Sequence, residues 1–200
     1  MHGLLVLKIG GSFLETGDLG RVLEAVLRRE RPVVVVPGGG PFADHVRAAQ
    51  AAHGFSDPLA HRLALLSMHQ MGHVFAAAAA ELAPAETTED FAHLIASGLT
   101  PVWLPEVMAT GAPDIPETWD MTSDGLAAWL AVNLGGAEVC LLKTCQVPAA
   151  ATLAELAEAG IVDPEFKAIV TRSGLAWTVL GEGDTARLSA ILAAPSAAAM

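Results

Sequence analysis

Lys8 stands inside an apolar run, Leu4 to Ile9, directly ahead of Gly10, Gly11 and Ser12. A charge in a buried strand is costly unless an opposite charge meets it. Glycines at a strand end let another group come close to the backbone. An anion accounts for both features. A second apolar run, Pro32 to Val36, leads into Pro37, Gly38, Gly39, Gly40 and Pro41. Backbone N–H groups at such turns and at helix starts can cradle phosphate oxygens. Asp124, in the stretch WDMTSDGLAAWL, falls in the first turn of an expected helix, where the helix dipole favours a carboxylate. Asp120 precedes it by four residues, in a loop expected to reach the same mouth. Lys143 and Thr144 close a third apolar run.

Each feature also has a plainer reading. A lysine near a strand end can snorkel to water. The sequence PGGGP alone is a tight turn, and neither glycine run is a P-loop or a G-x-G-x-x-G pattern. Asp124 can merely complement the dipole of a helix capped by Thr122 or Ser123. Asp120 can be a solvated loop acid beside a core tryptophan, Trp119. The combination is more specific than its parts. The chain has eight arginines but only three lysines, Lys8, Lys143 and Lys167, and two of those three sit in or at the end of strongly apolar runs. Lysine is a compact, movable point charge, unlike the planar fork of arginine.

The rest of the chain bounds what these residues can serve. Two hundred residues with 52% hydrophobic content are ample for one core. The formal net charge of −11 excludes a broad nucleic-acid surface but leaves room for one small anion held locally. No apolar run nears the roughly 20 residues of a membrane span, and no basic leader precedes Lys8, so the expected location is the cytoplasm without a membrane partner. Cys140 and Cys145 are expected as buried free thiols. The histidines, including the pair His69 and His73 on one helix, match no metal motif such as H-E-x-x-H, because Gln70 follows His69.

Periodicity supplies the elements. Strands are expected at Leu4–Ile9, Pro32–Val36, Thr100–Leu104, in AEVCLLKT and in LAWTVL. Helices are expected near Asp18–Arg29, Phe42–Ala52, Pro58–Leu82 and Thr87–Ser97. Others open at Thr122 or Ser123, in TLAELAEAG, at Pro164 and over Thr185–Leu192, while residues 105–120 read as a loop. Strands alternating with helices mean a mainly parallel sheet covered on both faces, an α/β fold whose ligands gather at the carboxyl ends of strands.

The ordered set of K-x-G-G-S, a β-branched run into G-G-G, and T-S-D opening a helix before an apolar strand resembles the amino acid kinase family over nearly the whole chain. The resemblance implies an αβα sandwich with a mainly parallel open sheet. It implies a single domain over residues 1–200, with an acceptor-binding half to about residue 120 and a nucleotide-binding half beyond. Phosphoryl transfer depends on positioning and charge neutralisation. Lys8 would then stabilise the transferred phosphoryl group and Asp124 would orient Lys8. Gly10, Gly11, Ser12, Lys143 and Thr144 would hold ATP, with Mg2+ carried by phosphates and water. Gly38, Gly39, Gly40 and Asp120 would line the acceptor. Lys167 could supply a second phosphate charge but reads better as a surface lysine. The family's usual V-D-G segment is replaced by CQVPAA. The segment AGIVDPEF, the WDMTSD loop and the compact length resemble one branch, the kinases of an (aminomethyl)furanyl-methyl phosphate in methanofuran and methylofuran biosynthesis. Alternatives are another family member acting on isopentenyl phosphate or a nucleoside monophosphate, and an oxoanion-storage protein of the same fold. The long helix Pro58–Leu82 implies a homo-oligomer.

Overall fold

The computed structural model describes residues 3–194. Its strands are β1 (Leu5–Ile9), β2 (Val33–Pro37), β3 (Leu82–Ala85), β4 (Thr100–Trp103), β5 (Glu138–Leu142) and β6 (Trp177–Leu180). They form a six-stranded sheet of order β3-β4-β2-β1-β5-β6. Every pairing is parallel, which requires a crossover between neighbours. The helices are α1 (Phe13–Thr16), α2 (Leu19–Leu27), α3 (Gly40–His53), α4 (Asp57–Ala76), α5 (Thr88–Ala96), α6 (Glu106–Ala109), α7 (Ser123–Asn133), α8 (Leu153–Glu158), α9 (Pro164–Ser173) and α10 (Thr185–Ala193).

Side chains of the central strands alternate between two cores. Leu4, Val6, Val34, Val36, Val139 and Leu141 pack on the layer of α7 and α9. Leu5, Leu7, Ile9, Val33, Val35, Cys140 and Leu142 pack on the layer of α2 and α10. A period of two on a sheet covered from both sides is why β1 and β2 read as unbroken apolar runs. The same alternation fixes two lysines. Lys8 continues the row of Leu4 and Val6, and Lys143 continues the row of Val139 and Leu141, so both belong to the α7 face.

The order of the strands sets the site. The chain grows from β1 to one side through β2, then returns to place β5 on the other side of β1. The crevice at the carboxyl ends beside β1 is therefore the ligand position of an open parallel sheet. The turns Gly10–Ser12, Gly38–Gly40 and Lys143–Thr144 all leave strands at that edge.

The expected helix Pro58–Leu82 is two elements. α4 stops at Ala76, and Leu82–Ala85 forms the edge strand β3. Four residues are too short for a periodic signal, and the alanines before them carry no turn signature. Pro84 is tolerated because β3 pairs on one side only. The loop expected over residues 105–120 contains the short α6. Cys140 is buried, its thiol pushed up to about 12 by burial, whereas Cys145 is exposed, contrary to the expectation of two buried thiols. Cys145 lies beyond the end of β5, where the alternation no longer applies.

Candidate active site

The two glycine turns touch. Gly38 donates its N–H to the Ile9 carbonyl at 2.9 Å and Gly10 donates to the Leu142 carbonyl at 3.1 Å, extending the ladders past the strand ends. A Cβ on Gly11 would collide with the backbone of Gly40, and one on Gly38 would stand 2.5 Å from the Gly11 nitrogen. Positions 11 and 38 need glycine because the turns pack backbone against backbone. Gly10 is different: the nearest atom to an added Cβ is the Leu142 oxygen at 3.4 Å, an ordinary contact. The N–H groups of Gly10 and Gly38 are committed, while those of Gly11, Ser12, Gly39 and Gly40 have no backbone acceptor among the described residues. Those four are the donors the two turns leave for an anion.

Beneath the turns lies a buried charge cluster. Lys8 Nζ is 2.8 Å from Asp124 Oδ1, with both side chains almost fully buried. Lys143 Nζ pairs with the other oxygen, Asp124 Oδ2. One carboxylate lies between two ammonium groups at the base of the crevice, and the buried Asp163 carboxylate stands behind it, close enough to act on Lys143 and Asp124. Burial pushes the Asp124 carboxyl up, but the charges of Lys8 and Lys143 outweigh it and hold the group below the ordinary carboxylate range. Burial, with the like charge of Lys8, lowers the Lys143 ammonium, and Asp124 opposes that. The sequence reading placed Lys143 on the nucleotide side and paired only Lys8 with Asp124. The strand parity of Lys143 was the signal that would have found the second pair.

Asp124 is held in place from outside its own helix. Thr122 occupies the N-cap position of α7 but makes no side-chain cap. Asp163 Oδ2 does this instead, accepting from the Gly125 N–H at 2.9 Å, the Thr122 N–H at 2.8 Å and the Thr122 hydroxyl at 2.7 Å. Its Oδ1 accepts the Phe166 N–H at 2.6 Å and so caps α9 as well. A single carboxylate thus locks two helix starts together. Burial, reinforced by the negative charge of Asp124, raises its carboxyl above the usual range despite these bonds. Asp163 was missed, although an aspartate directly before the proline of a helix start is a legible cap.

A cavity of about 550 Å3 opens above the cluster. Lys8, Gly10, Gly11, Ser12, Gly39, Gly40, Asp124, Lys143 and Thr144 all line it. On one side stand Gln146 and Gly160; on the other Asp44, Arg47, His61, Met68 and Trp119. Trp119, beside Asp120, is the one of these the sequence points to as cover for a flat ring; Asp44, Arg47 and Met68 go unmarked because α3 and α4 offer no motif. Asp44 and Arg47 pair at 2.8 Å, and the Arg47 guanidinium lies 4.4 Å over the Trp119 ring. The Trp119 indole donates to Gln50 Oε1 at 2.6 Å, fixing the ring as a wall. Three expected residues stand apart. Gly38 lies behind the lining. Asp120 is exposed, outside the lining, and its carbonyl accepts the Glu165 N–H. Lys167 is half-buried on α9, away from the cavity. Among the described residues, no three His, Cys, Asp or Glu side chains are grouped to hold a metal, and no helix is long and apolar enough to cross a membrane.

Comparison with known proteins bears on the family and the fold. The chain is 29% identical, over 68% of its length, to the [5-(aminomethyl)furan-3-yl]methyl phosphate kinase of Methanocaldococcus jannaschii, and spans 63% of that relative. Its fold matches uridylate kinase from Archaeoglobus fulgidus with a TM-score of 0.64 at 18% identity, covering 96% of this chain and 95% of the other. It matches isopentenyl phosphate kinase with a TM-score of 0.61 at 12% identity, covering 94% and 96%. The model of the amino acid kinase family matches residues 3–146, the segment that carries both glycine turns, Lys8, Asp124 and Lys143, and the chain belongs to that family.

Proposed function

We propose that this protein is an ATP-dependent phosphotransferase that converts a small phosphomonoester to a diphosphate, with [5-(aminomethyl)furan-3-yl]methyl phosphate as acceptor. The observation that carries the reading is the Lys8–Asp124–Lys143 cluster, whose two ammonium groups reach the floor of a cavity bordered by two glycine turns. Positioning and neutralisation are what phosphoryl transfer asks of a protein. Residues before about 120 form the acceptor side and those after it the nucleotide side of one domain. An acceptor phosphate oxygen forms the new P–O bond while the bond to ADP breaks. Lys8 stabilises the oxygens between donor and acceptor, and Asp124 keeps Lys8 aimed. Gly11 and Ser12 offer free N–H groups to the ATP phosphates, with Lys143 and Thr144 beside them. Gly39 and Gly40 face the acceptor.

The carboxylates in the lining do not stand free for a metal: Asp44 is paired with Arg47, and Asp124 with both lysines. Mg2+ accompanying ATP is accordingly held by phosphates and water. The choice of this acceptor is supported by the 29% identical relative and by the wall of Trp119 and Met68, which suits a flat ring. Incubation with ATP, Mg2+ and each of three acceptors, the furan phosphate, UMP and isopentenyl phosphate, tests the reading by 31P NMR. Diphosphate formation with the furan compound is expected. Transfer only to UMP or isopentenyl phosphate keeps the kinase and moves the acceptor. No transfer to any of them, with tight binding of a free oxoanion, favours the storage alternative.

A further inference from the structure

One stripe of α3 borders the cavity, and it carries a carboxylate with an oxygen to spare. Gly40, Ala43, Asp44 and Arg47 all line the cavity. They stand at i, i+3, i+4 and i+7, so the Asp44 side chain leaves the helix on the face turned to the cavity. Among the described residues the lining holds two carboxylates, Asp44 and Asp124. Asp124 is buried, with one oxygen on each of two lysines. The Asp44 side chain is 65% exposed and so within reach of a ligand. Its Oδ1 accepts from Arg47 Nη1 at 2.8 Å, and its Oδ2 has no partner among the described residues. The pair is held from outside α3 as well. The Arg47 guanidinium lies over Trp119, and the Trp119 indole donates to Gln50. The Gln50 amide in turn donates to the Phe55 carbonyl at 3.1 Å and to Asp57 Oδ1 at 2.8 Å, in the turn into α4. Arg47, and through it Asp44, is thereby fixed at the cavity wall.

We infer that Asp44 selects the acceptor, its Oδ2 accepting a hydrogen bond from the ammonium that the acceptor carries on its ring. The inference rests on the kinase reading above. Gly39 and Gly40 offer N–H groups to the acceptor phosphate at the start of α3, and Asp44 lies four residues beyond Gly40, about 6 Å along the helix. In the furan acceptor the phosphate and the amine leave different sides of one five-membered ring, each through a single methylene, so a comparable span separates them. A carboxylate brings only acceptors and an ammonium only donors. Oδ1 stays with Arg47, which fixes the carboxylate, and the ammonium needs only the other oxygen. An acceptor without a cation meets at Asp44 a charge of its own sign. Asp44 thus takes the role that the sequence offers to Asp120, which stands outside the lining.

The test compares [5-(aminomethyl)furan-3-yl]methyl phosphate with its analogue lacking the amine, on wild type and on Asp44→Asn. Binding without ATP is followed by calorimetry at low and high salt, turnover by ADP release, and folding by Tm. Wild type is expected to bind the amine compound about 10-fold more tightly than the analogue, the scale of a hydrogen bond between charged groups. The preference should shrink at high salt, because the pair is open to solvent. Asp44→Asn keeps an oxygen for Arg47 and should lose the preference, bind the analogue no more weakly, and melt as wild type does, since an exposed pair adds little stability. Equal affinity of wild type for the two compounds overturns the inference without any variant. A preference retained in Asp44→Asn, or equal losses on both compounds, removes Asp44 from acceptor recognition. Transfer by wild type only to UMP or isopentenyl phosphate overturns the furan acceptor and this inference together. Turnover of the furan compound with no preference that depends on Asp44 overturns this inference alone and leaves the kinase reading standing.

Discussion

The sheet carries buried ion pairs at both ends, and they differ in one respect. At the amino edge, Arg31 pairs with Glu138 at 2.8 Å and donates to the Gly3 carbonyl at 2.9 Å. One cation meets one anion, and the Arg31 side chain is 7% exposed. At the carboxyl edge, Asp124 meets two lysines under an open cavity. The first pair is electrically closed and ties the segment leading into β2 to β5 across β1. The second shares one carboxylate between two ammonium groups that both line an open cavity. Buried pairs add little net stability, because desolvation offsets the attraction. The lesson is that burial of charge alone does not mark a site; a charged group that also faces a cavity does.

The largest expected effect separates the two ends. Lys8→Ala should lower kcat at least 100-fold, the scale of removing one transition-state charge contact, about 3 kcal/mol, while circular dichroism stays native. A folded variant with wild-type kcat would remove Lys8 from the reaction. Asp124→Asn should follow, lowering kcat roughly 10- to 100-fold with a smaller change in the KM for ATP, since it frees two lysines rather than deleting one. A change in Tm alone would assign Asp124 to the helix dipole.

Asp163→Asn probes the lock behind Asp124. An amide replaces one acceptor oxygen with a donor that faces N–H groups, so roughly 1–3 kcal/mol of stability should be lost. Because Asp124 is then less firmly held, kcat should fall about 10-fold while acceptor binding persists. An unchanged kcat in a destabilised variant would leave Asp163 a purely structural cap.

Lys143 gives a pH signature. Its ammonium is held below the ordinary lysine value of 10.5. As pH rises through that lowered value the charge is lost, so kcat/KM for ATP should decline on the alkaline side before a normal lysine would titrate. The folded state binds fewer protons than the unfolded one in this window, so stability should rise with pH there, and the lost activity cannot be unfolding. Lys143→Arg should move the alkaline limb upward. A limb unmoved by that substitution would belong to another group. The smallest effect on activity belongs to the amino edge: Arg31→Met should leave kcat unchanged and cost roughly 1–3 kcal/mol, between exposed and buried pairs. A loss of turnover there would erase the contrast between the two ends.

Much of this molecule is legible in its sequence, for local reasons. The runs of β1, β2 and β5 announce buried parallel strands because a strand covered on both faces has no polar row to show. Lys8 announces itself because a charge in such a run is costly. The opening of α7 is visible in Thr122 and Ser123, and its end in Gly135 and Gly136, both at positive φ. What stayed hidden is what depends on distant partners. The short strand β3 exists because β4 pairs with it. Gly11 and Gly38 look like anion contacts, yet their missing side chains make room for each other's turns. The second lysine on Asp124, the cap that Asp163 lends to another helix, and the stacking of Arg47 on Trp119 all join residues far apart in the chain. Sequence fixes which charge is costly and where the strands run, because those follow from neighbours along the chain. Which groups answer that charge is decided only when the crossovers bring α7, α9 and the strand ends together.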